Sequence, residues 1–237
     1  MLSHSESKYI QTLSHKKQRE LEGLFIVEGK KIVDELLKSN YVVKKIYATV
    51  NWIAENTLLH DVVEVSEAEL QKISNLQTAN QVLAIVEKPT MKLNAESNII
   101  IALDGIQDPG NLGTIIRIAD WFGVNKIICS DDCVELYNPK VIQSTMGSFI
   151  RVEVDEVDLP NWFAKNKLPV YGALLNGKNI KEVGKINRGV IVIGNESKGI
   201  RENILPFIQH AISIKRLGGA ESLNASIATG IILSHIL

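Results

Sequence analysis

The stretch that decides the fold runs from residue 99 to residue 117 and reads Ile99-Ile-Ile-Ala-Leu103-Asp-Gly-Ile-Gln-Asp108-Pro-Gly-Asn111-Leu-Gly113-Thr-Ile-Ile-Arg117. Its first five residues are all apolar, which is typical of a parallel strand covered on both faces. Asp108, followed by a proline, predicts the capped start of a helix over 109–122. A buried strand that passes directly into a helix indicates a layered α/β structure.

The same alternation of strands and helices continues on both sides of this stretch. Further strands are predicted at 24–28, 45–48, 62–65, 81–86, 126–129, 149–154, 170–175, 190–193 and 211–214. Further helices are predicted at 30–39, 66–73, 138–146 and from about 222 to the end, the second opened by a Ser66–Glu69 capping box. We therefore expect a mostly parallel sheet, with ligands at the carboxyl ends of its strands.

Residues 88–98 contain a proline and polar residues with no hydrophobic periodicity, which is typical of a linker. We predict a small α/β domain at 1–90, a linker at 91–98 and a larger, mostly parallel α/β domain at 99–237.

The composition is that of an ordinary globular protein, with 237 residues, 45% of them hydrophobic, and a formal net charge of −1. No apolar run approaches the ~18 residues of a membrane span, and the polar start lacks a signal-peptide core. Two cysteines are too few for a disulfide framework, and their spacing is not that of a redox pair, so we interpret Cys129 and Cys133 as buried or idle thiols. The five histidines are scattered, which favours no metal site. These features predict a cytoplasmic, metal-free protein.

The charge is unevenly distributed, because residues 1–45 carry nine Lys and Arg against six Asp and Glu. Five of these cations cluster around the first predicted strand: Lys16, Lys17, Arg19, Lys30 and Lys31. A solvated charged face is the common explanation of such a run, and a nucleic-acid contact is the other.

In the first candidate segment, Gly110, Gly113 and Arg117 share one face of the predicted helix. Two glycines cost a helix about 1 kcal/mol each relative to alanine, which suggests close approach of a ligand to the backbone. A helix start beside a guanidinium suits a phosphate. A tight strand–helix turn, with Arg117 paired to Asp120 on the surface, explains the segment equally well.

Two more polar, glycine-containing segments follow predicted strands. The first carries Gly194, Asn195 and Glu196. The second runs from Ile214 to Ala228, with glycines followed by Ser222 and Asn224, and its loop could bracket a flat heterocycle between apolar side chains. Helix capping alone also explains Glu196, Ser222 and Asn224.

At these residues the chain resembles the SpoU (TrmH-type) RNA ribose 2′-O-methyltransferases. Three family motifs occur in the family's order, with a further piece between the first two: Asn111-x-Gly113-x-x-x-Arg117, Ser144-x-x-Gly147-Ser148, Ile193-Gly194-Asn195-Glu196-x-x-Gly199 and Glu221-Ser222-Leu223-Asn224-x-Ser226-x-Ala228. The match covers about residues 98–237. Phe25-Ile-Val-Glu28-Gly29 is similar to the family's amino-terminal substrate-binding domain.

This resemblance implies an S-adenosylmethionine cofactor, a carboxy-terminal trefoil knot, a homodimer and a ribosomal or transfer RNA substrate, of which we favour ribosomal RNA. It implies cofactor contacts from Gly194, Ile214, Leu217 and Leu223. It implies a catalytic neighbourhood of Arg117, Asn111, Glu196, Ser222 and Asn224. The five amino-terminal cations would then contact RNA first.

One departure from the family pattern stands after Ile214, where Lys215-Arg216 replaces the frequent Pro-Met. Either the cofactor loop differs in shape or these cations reach toward RNA. Two other functions compete with the transferase: an inactive RNA- or ribosome-binding protein of the same fold, and a doubly wound nucleotide-binding enzyme. The retained motif residues disfavour the first, and missing phosphate-loop and dinucleotide fingerprints disfavour the second.

Overall fold

The computed structural model of the chain describes residues 2–56, 61–89 and 97–237. The chain forms two compact units, one made of Met1–Lys92 and Tyr137–Ile150 and the other of Leu93–Leu136 and Arg151–Leu237. Most of the linker predicted at 91–98 lies outside the described residues.

The first unit is built on a mixed four-stranded sheet in the order β1-β4-β2-β3. Its strands are β1 (Leu24–Glu28), β2 (Val43–Ala48), β3 (Val62–Glu64) and β4 (Val82–Glu87). Its helices, labelled in chain order, are α1 (His4–Thr12), α2 (Lys16–Glu22), α3 (Lys30–Leu36), α4 (Val50–Glu55), α5 (Glu67–Ile73) and α7 (Pro139–Thr145). Strand β4 is antiparallel to β1 and β2, while β2 and β3 are parallel.

The predicted capping box is confirmed at the start of α5. The Ser66 hydroxyl accepts the Glu69 N–H, and the Glu69 carboxylate accepts the Ser66 N–H at 2.9 Å. Backbone donation from Ser66 and Leu2 lowers the pKa of Glu69 to about 2. The box fixes where the chain leaves β3 and enters the helix.

Residues 137–150 pack within the first unit, although the sequence analysis placed them in the domain at 99–237. The Phe149 ring lies 6.0 Å from that of Phe25 and 5.5 Å from that of Tyr41, centroid to centroid. The strand predicted at 149–154 is wrong in its first half. Ser148–Ile150 form a 3-10 turn, because Phe149 buries itself in this aromatic cluster.

The second unit is built on a six-stranded sheet in the order β10-β8-β9-β5-β6-β7, and every neighbouring pair is parallel. Its strands are β5 (Ile99–Asp104), β6 (Lys126–Cys129), β7 (Glu153–Glu156), β8 (Val170–Asn179), β9 (Gly189–Gly194) and β10 (His210–Ser213). Its helices are α6 (Pro109–Trp121), α8 (Leu159–Lys165) and α9 (Ala225–Ile236). The predicted α/β class with a mostly parallel sheet is confirmed here.

The central strands explain why the decisive stretch is apolar. In β5 and β9 nearly every residue is buried, as expected for strands covered on both faces. Strand β10 differs from the prediction of a buried strand. It is the edge strand, and His210 and Ala211 are exposed.

Strand β8 is longer than predicted, and its register against β10 shifts along its length. Residues 170–172 pair with β9, residues 171–172 also pair with the start of β10, and residues 178–179 pair with the end of β10 after the shift. Between them, a Cβ added to Gly177 would lie 2.5 Å from the carbonyl carbon of Ile212. The backbones of β8 and β10 therefore approach closely at a position that only glycine can occupy without movement.

In the described part of the chain, no helix combines the length and apolarity needed to cross a bilayer.

The close approach at Gly177 gives a stability prediction. Gly177→Ala should destabilise the chain by about 1–3 kcal/mol, because the new methyl group overlaps the backbone of β10. Thermal unfolding followed by circular dichroism should show a melting temperature lowered by several degrees. Gly218→Ala is the matched control, since its added Cβ would meet no atom within 4 Å. Equal melting temperatures for the two variants would contradict the prediction.

Candidate active site

The three candidate segments follow β5, β9 and β10 at the carboxyl edge of the parallel sheet in the second unit. Strands β9 and β5 are neighbours, so the segments after them lie side by side. The segment after β10 reaches the same place through a loop that ends in α9. The predicted convergence of the three segments is confirmed by direct contacts between their side chains.

A chain of hydrogen bonds joins one residue from each segment. The Asn224 amide donates from Nδ2 to Oδ1 of Asn111 at 2.8 Å. The Asn111 amide in turn donates from Nδ2 to Oε1 of Glu196 at 2.6 Å. Residues separated by 113 and 85 positions in sequence are thus held together by one amide.

The direction of this chain is set by the cap of α9. The Oδ1 atom of Asn224 accepts the N–H groups of Ser226 at 3.0 Å and Ile227 at 3.2 Å, so its Nδ2 must face Asn111. Asn111 then receives at Oδ1 and donates at Nδ2, and Glu196 is the final acceptor. Capping and site assembly are therefore one role of Asn224, not two competing explanations.

The position of Ser222 corrects a sequence prediction. Helix α9 begins at Ala225 with Asn224 as its N-cap, whereas the sequence analysis started this helix at about Ser222. Asn224 is the better N-cap than Ser222 here, because its side-chain oxygen accepts two backbone N–H groups at the start of the helix. Ser222 is exposed in the preceding loop, outside the hydrogen-bond chain.

Arg117 is exposed on α6, and the surface pair with Asp120 offered as its alternative explanation does not form. Asp120 is held by Arg151, whose Nε and Nη2 lie 3.0 and 2.8 Å from Oδ2. Among residues 2–56, 61–89 and 97–237, Arg117 makes no hydrogen bond or ion pair with another side chain. Its guanidinium is available to a ligand.

The turn between β5 and α6 is held by Asn195, which the sequence analysis named in the second candidate segment, and by Ser130, which it did not. The Asn195 amide donates to the Gly105 carbonyl at 2.7 Å, and the Ser130 hydroxyl accepts the Gly105 N–H at 2.9 Å. Gly105 has φ +76°, a conformation that favours glycine. Because Asn195 precedes Glu196, the turn before Asn111 and the turn before Glu196 are fixed to each other.

A buried ion pair closes the same turn. The Asp104 carboxylate is completely buried and accepts both the backbone N–H of Arg201, at 2.7 Å, and its guanidinium. Partial burial opposes the charge of Arg201, but the hydrogen bond to Asp104 and its charge outweigh burial and raise the Arg201 pKa. Asp104 was visible in the sequence as an acidic residue at the end of an apolar strand. Its partner Arg201 could not be identified in the same way, because it lies 97 positions away.

The two cysteines are free and buried, as predicted, but Cys133 is not idle. Its Sγ accepts the N–H of Ile106 at 3.2 Å. The hydrogen bond from Cys129 is the largest effect on the Cys133 thiol, and with Ser130 and nearby backbone N–H groups it outweighs burial and lowers the pKa to about 7. Cys133 therefore stabilises the turn that leads to Asn111.

Of the four predicted cofactor residues, Gly194 ends β9, and the other three, Ile214, Leu217 and Leu223, lie in the loop between β10 and α9. Gly194 packs so tightly that an added Cβ would lie 2.3 Å from the Gly199 carbonyl carbon. Ile214 is half-buried, while Leu217 is 88% and Leu223 46% exposed. Apolar side chains this exposed beside a glycine-bearing loop are suited to covering a flat heterocycle.

The predicted RNA contacts lie in the first unit, and one of them is corrected by the structure. Lys16, Lys17 and Lys31 are exposed, and Lys30 forms an ion pair with Glu55. Arg19, in contrast, is 1% exposed and donates from Nη1 to the Leu13 carbonyl at 2.8 Å. Its guanidinium stabilises the turn between α1 and α2 and cannot reach a phosphate.

Among the residues that the structure describes, no group of three or more His, Cys, Asp or Glu side chains is placed to hold a metal ion.

Comparison with known proteins assigns each part of the chain to a family. The SpoU rRNA Methylase family matches residues 98–234, and the MRM3-like substrate binding domain matches residues 5–84. The chain is 31% identical to the 23S rRNA (guanosine(2553)-2′-O)-methyltransferase RlmP of Bacillus subtilis, over 94% of this chain and 92% of that protein.

Solved structures show the same fold over nearly the whole chain. A putative RNA methyltransferase of the TrmH family from Porphyromonas gingivalis has a TM-score of 0.89 and 32% identity, covering 99% of this chain and 98% of that one. An AdoMet-bound rRNA methyltransferase from Sinorhizobium meliloti has a TM-score of 0.87 and 28% identity, covering 99% and 95%. The matching family covers more than half of the chain and contains all three segments joined by Asn111, so this chain belongs to the SpoU rRNA methylase family.

Proposed function

We propose that the protein is an S-adenosylmethionine-dependent methyltransferase that modifies a ribose 2′-hydroxyl of ribosomal RNA. The observation that carries this proposal is the hydrogen-bond chain Asn224–Asn111–Glu196, with Arg117 on the same helix as Asn111 and bonded to no other side chain among the described residues. Family membership supports methyl transfer to RNA, and the B. subtilis relative, named for 2′-O-methylation of 23S rRNA, supports the finer assignment. These retained side chains argue against an inactive RNA-binding protein of the same fold.

The open loop of the second unit is the proposed cofactor site. Backbone groups at Gly194 and Ile214 would hold the nucleoside, and Leu217 and Leu223 would cover it, which removes both leucines from water. The S. meliloti structure is described as AdoMet-bound, which supports this assignment. When bound, S-adenosylmethionine supplies a methyl group on a positively charged sulfur.

The residues of the site are then assigned to positioning the ribose. The proposed reaction would join the ribose oxygen to the methyl carbon, break the carbon–sulfur bond to leave a neutral thioether, and pass the hydroxyl proton to water. A guanidinium has five N–H donors and no acceptor, so we assign Arg117 to gripping the phosphate beside the target ribose. Bidentate binding would place the hydroxyl in line with the methyl group.

The amide chain supplies rigidity to this arrangement. Asn111 and Asn224 use their polar atoms on one another and on Glu196, so the Glu196 carboxylate has a fixed orientation and its second oxygen can accept a hydrogen bond from substrate. Ser222, in the exposed loop before Asn224, is proposed as a substrate contact. Fixed donors and acceptors of this kind contribute to catalysis because they need no reorganisation during the reaction.

A division of labour between the two parts of the chain completes the proposal. Residues 1–90 would bind RNA, with the exposed Lys16, Lys17 and Lys31 as phosphate contacts and Lys30 joining them once freed from Glu55. Residues 99–237 would transfer the methyl group. The name of the MRM3-like substrate binding domain, matched at residues 5–84, supports this division.

Homodimer formation and the family's trefoil knot are further parts of the proposal. Trp121 at the end of α6 is 85% exposed and Ile227 near the start of α9 is 56% exposed, and a second copy of the chain would cover these apolar side chains. Sedimentation velocity would measure the dimer, and a monomer at micromolar concentration would contradict it. The knot is proposed from the family resemblance, and an experimental structure of this chain would test it by its chain trace.

The proposed function is tested directly with the purified full chain. Incubation with a 23S rRNA transcript and S-adenosylmethionine carrying a labelled methyl group should label one ribose O2′, mapped as an alkali-resistant linkage. Calorimetry should show S-adenosylmethionine binding in the absence of RNA. Absence of cofactor binding would contradict the proposal, as would label found only on a base.

Asn224→Asp separates the cap from the amide chain. The carboxylate still caps α9, since Asp and Asn are equally good N-caps, but it cannot donate to Asn111. Whichever way the Asn111 amide turns, one of the two flanking carboxylates loses a donor. We expect an unchanged melting temperature and a single-turnover methyl-transfer rate lowered on the order of tenfold or more.

The control for this variant is Asn187→Asp, which makes the same charge change at an exposed residue of the second unit. Equal rates for the two variants would contradict the role of the amide chain.

Arg117→Lys keeps the positive charge and removes the planar fork. If Arg117 grips a phosphate bidentately, single-turnover methyl transfer should fall about tenfold or more while S-adenosylmethionine affinity stays the same. Arg188→Lys, at another exposed arginine of the same unit, is the control. An Arg117→Lys variant that keeps the full single-turnover rate would contradict bidentate phosphate binding by Arg117.

A further inference from the structure

Three exposed cations converge at the edge strand of the second unit. The ladder between β10 and β8 places Lys178 opposite Ile212, and three residues after Ile212 the chain reaches Lys215 and Arg216. Neighbouring strands lie about 4.8 Å apart, and each further residue advances the chain by at most about 3.4 Å. The backbone positions of the three cations therefore lie within about 18 Å of one another, and the largest separation is from Lys178 to Arg216, four residues after Ile212.

These cations are not engaged by acidic side chains. Within the described ranges 2–56, 61–89 and 97–237, none of the three forms an ion pair. Arg216 bonds only to the Ala220 carbonyl of its own loop, at 3.4 Å. Two other arginines of the same unit, in contrast, form ion pairs: Arg151 with Asp120 and Arg201 with Asp104. The loop from 214 to 223 carries one acid, Glu221, which is also exposed.

The edge beside these cations is open. Strand β10 ends the sheet, no strand in the described part of the chain pairs with its outer side, and His210 and Ala211 are exposed along it. The same loop continues through Leu217 and Leu223 to Asn224, which belongs to the hydrogen-bond chain of the site. A polyanion that lies along this edge would be led to the place where the three segments meet.

We propose that Lys178, Lys215 and Arg216 form a phosphate-binding surface on the second unit, which holds the RNA backbone next to the site. This inference rests on the proposed function and deepens it, because it adds an RNA contact outside the amino-terminal cations. Two lysines act as point charges, and the guanidinium of Arg216 suits bidentate binding of one phosphate. The surface gives the methyl-transferring unit its own affinity for RNA in a chain of net charge −1.

The test compares two variants with the same change of net charge. The edge variant is Lys178→Gln with Lys215→Gln and Arg216→Gln. The control replaces three exposed lysines elsewhere in the unit by Gln, namely Lys165, Lys167 and Lys185. Binding of a 23S rRNA transcript to the full chain is measured between 50 and 200 mM salt, conditions under which phosphate contacts appear as a slope.

We expect the edge variant to bind the transcript roughly tenfold more weakly at low salt, with the slope of log affinity against log salt reduced by about 2. The control should change both quantities much less. Equal losses in the two variants would show a general charge effect and overturn the proposal, as would an unchanged slope in the edge variant.

A second variant allows the test to be interpreted even if the substitutions at Lys215 and Arg216 disturb the cofactor loop. Lys178→Gln alone lies outside that loop and should lower the slope by about 0.7, with S-adenosylmethionine affinity by calorimetry unchanged. An unchanged slope for this variant would count against the surface. Failure of the proposed function is distinguished separately, because it would appear in the unaltered chain as loss of cofactor binding and of methyl transfer.

Discussion

The side-chain amide of Asn111 is the interaction on which the site depends. It receives a hydrogen bond from Asn224 and gives one to Glu196, so it joins three segments that are far apart in sequence. A parallel sheet brings the ends of its strands to one edge, but it does not fix the loops beyond them. The amide does this with an N–H of Nδ2, which it donates to Glu196, and with Oδ1, which accepts from Asn224. Asn224 cannot take over this role, because its side-chain oxygen already accepts N–H groups at the cap of α9.

The turn before Asn111 is as constrained as the residue itself. Gly105 and Ile106 are held by Ser130, Cys133 and the Asn195 amide, while Asp104 is buried against Arg201. A buried carboxylate is tolerated because Arg201 compensates its charge and donates to it. The result is a rigid turn before α6, the helix that carries Arg117, which makes no hydrogen bond or ion pair with another side chain in the described part of the chain. Under the proposed function, this arrangement fixes the helix and leaves the guanidinium available to bind a flexible polynucleotide.

Much of this arrangement could be predicted from sequence, and the failures have identifiable causes. Apolar runs located β5, β6 and β9 closely, and Asp108-Pro109 and Asn138-Pro139 located two helix starts, because these signals are local. Helices α1, α2, α4 and α8 were missed because each has nine residues or fewer, too few for the helical period to repeat several times. Residues 149–152 looked like a strand because burial in an aromatic cluster and burial in a sheet select the same side chains.

The sequence likewise identified some residues of the site and not others. The family motifs identified Asn111, Glu196 and Asn224, but the bonds between them depend on spacing in three dimensions. Arg19 was assigned to RNA since a cation in a basic run is normally exposed, and only the path of α1 and α2 shows it buried. Arg201 and Cys133 were passed over because their partners are 97 and 27 positions away, beyond any local pattern.

The grouping of Tyr137–Ile150 with the amino-terminal unit has a consequence for the order in which the chain can fold. A ribosome that has released only the first ninety residues has not yet made Tyr137 and Phe149, which pack on the buried ring of Phe25. The amino-terminal unit is therefore completed only when about 150 residues have emerged, after β5, α6 and β6 of the second unit have already been synthesised. Cutting the chain between residues 90 and 98 would not yield two self-sufficient pieces, because each piece would keep an element whose apolar partner is in the other.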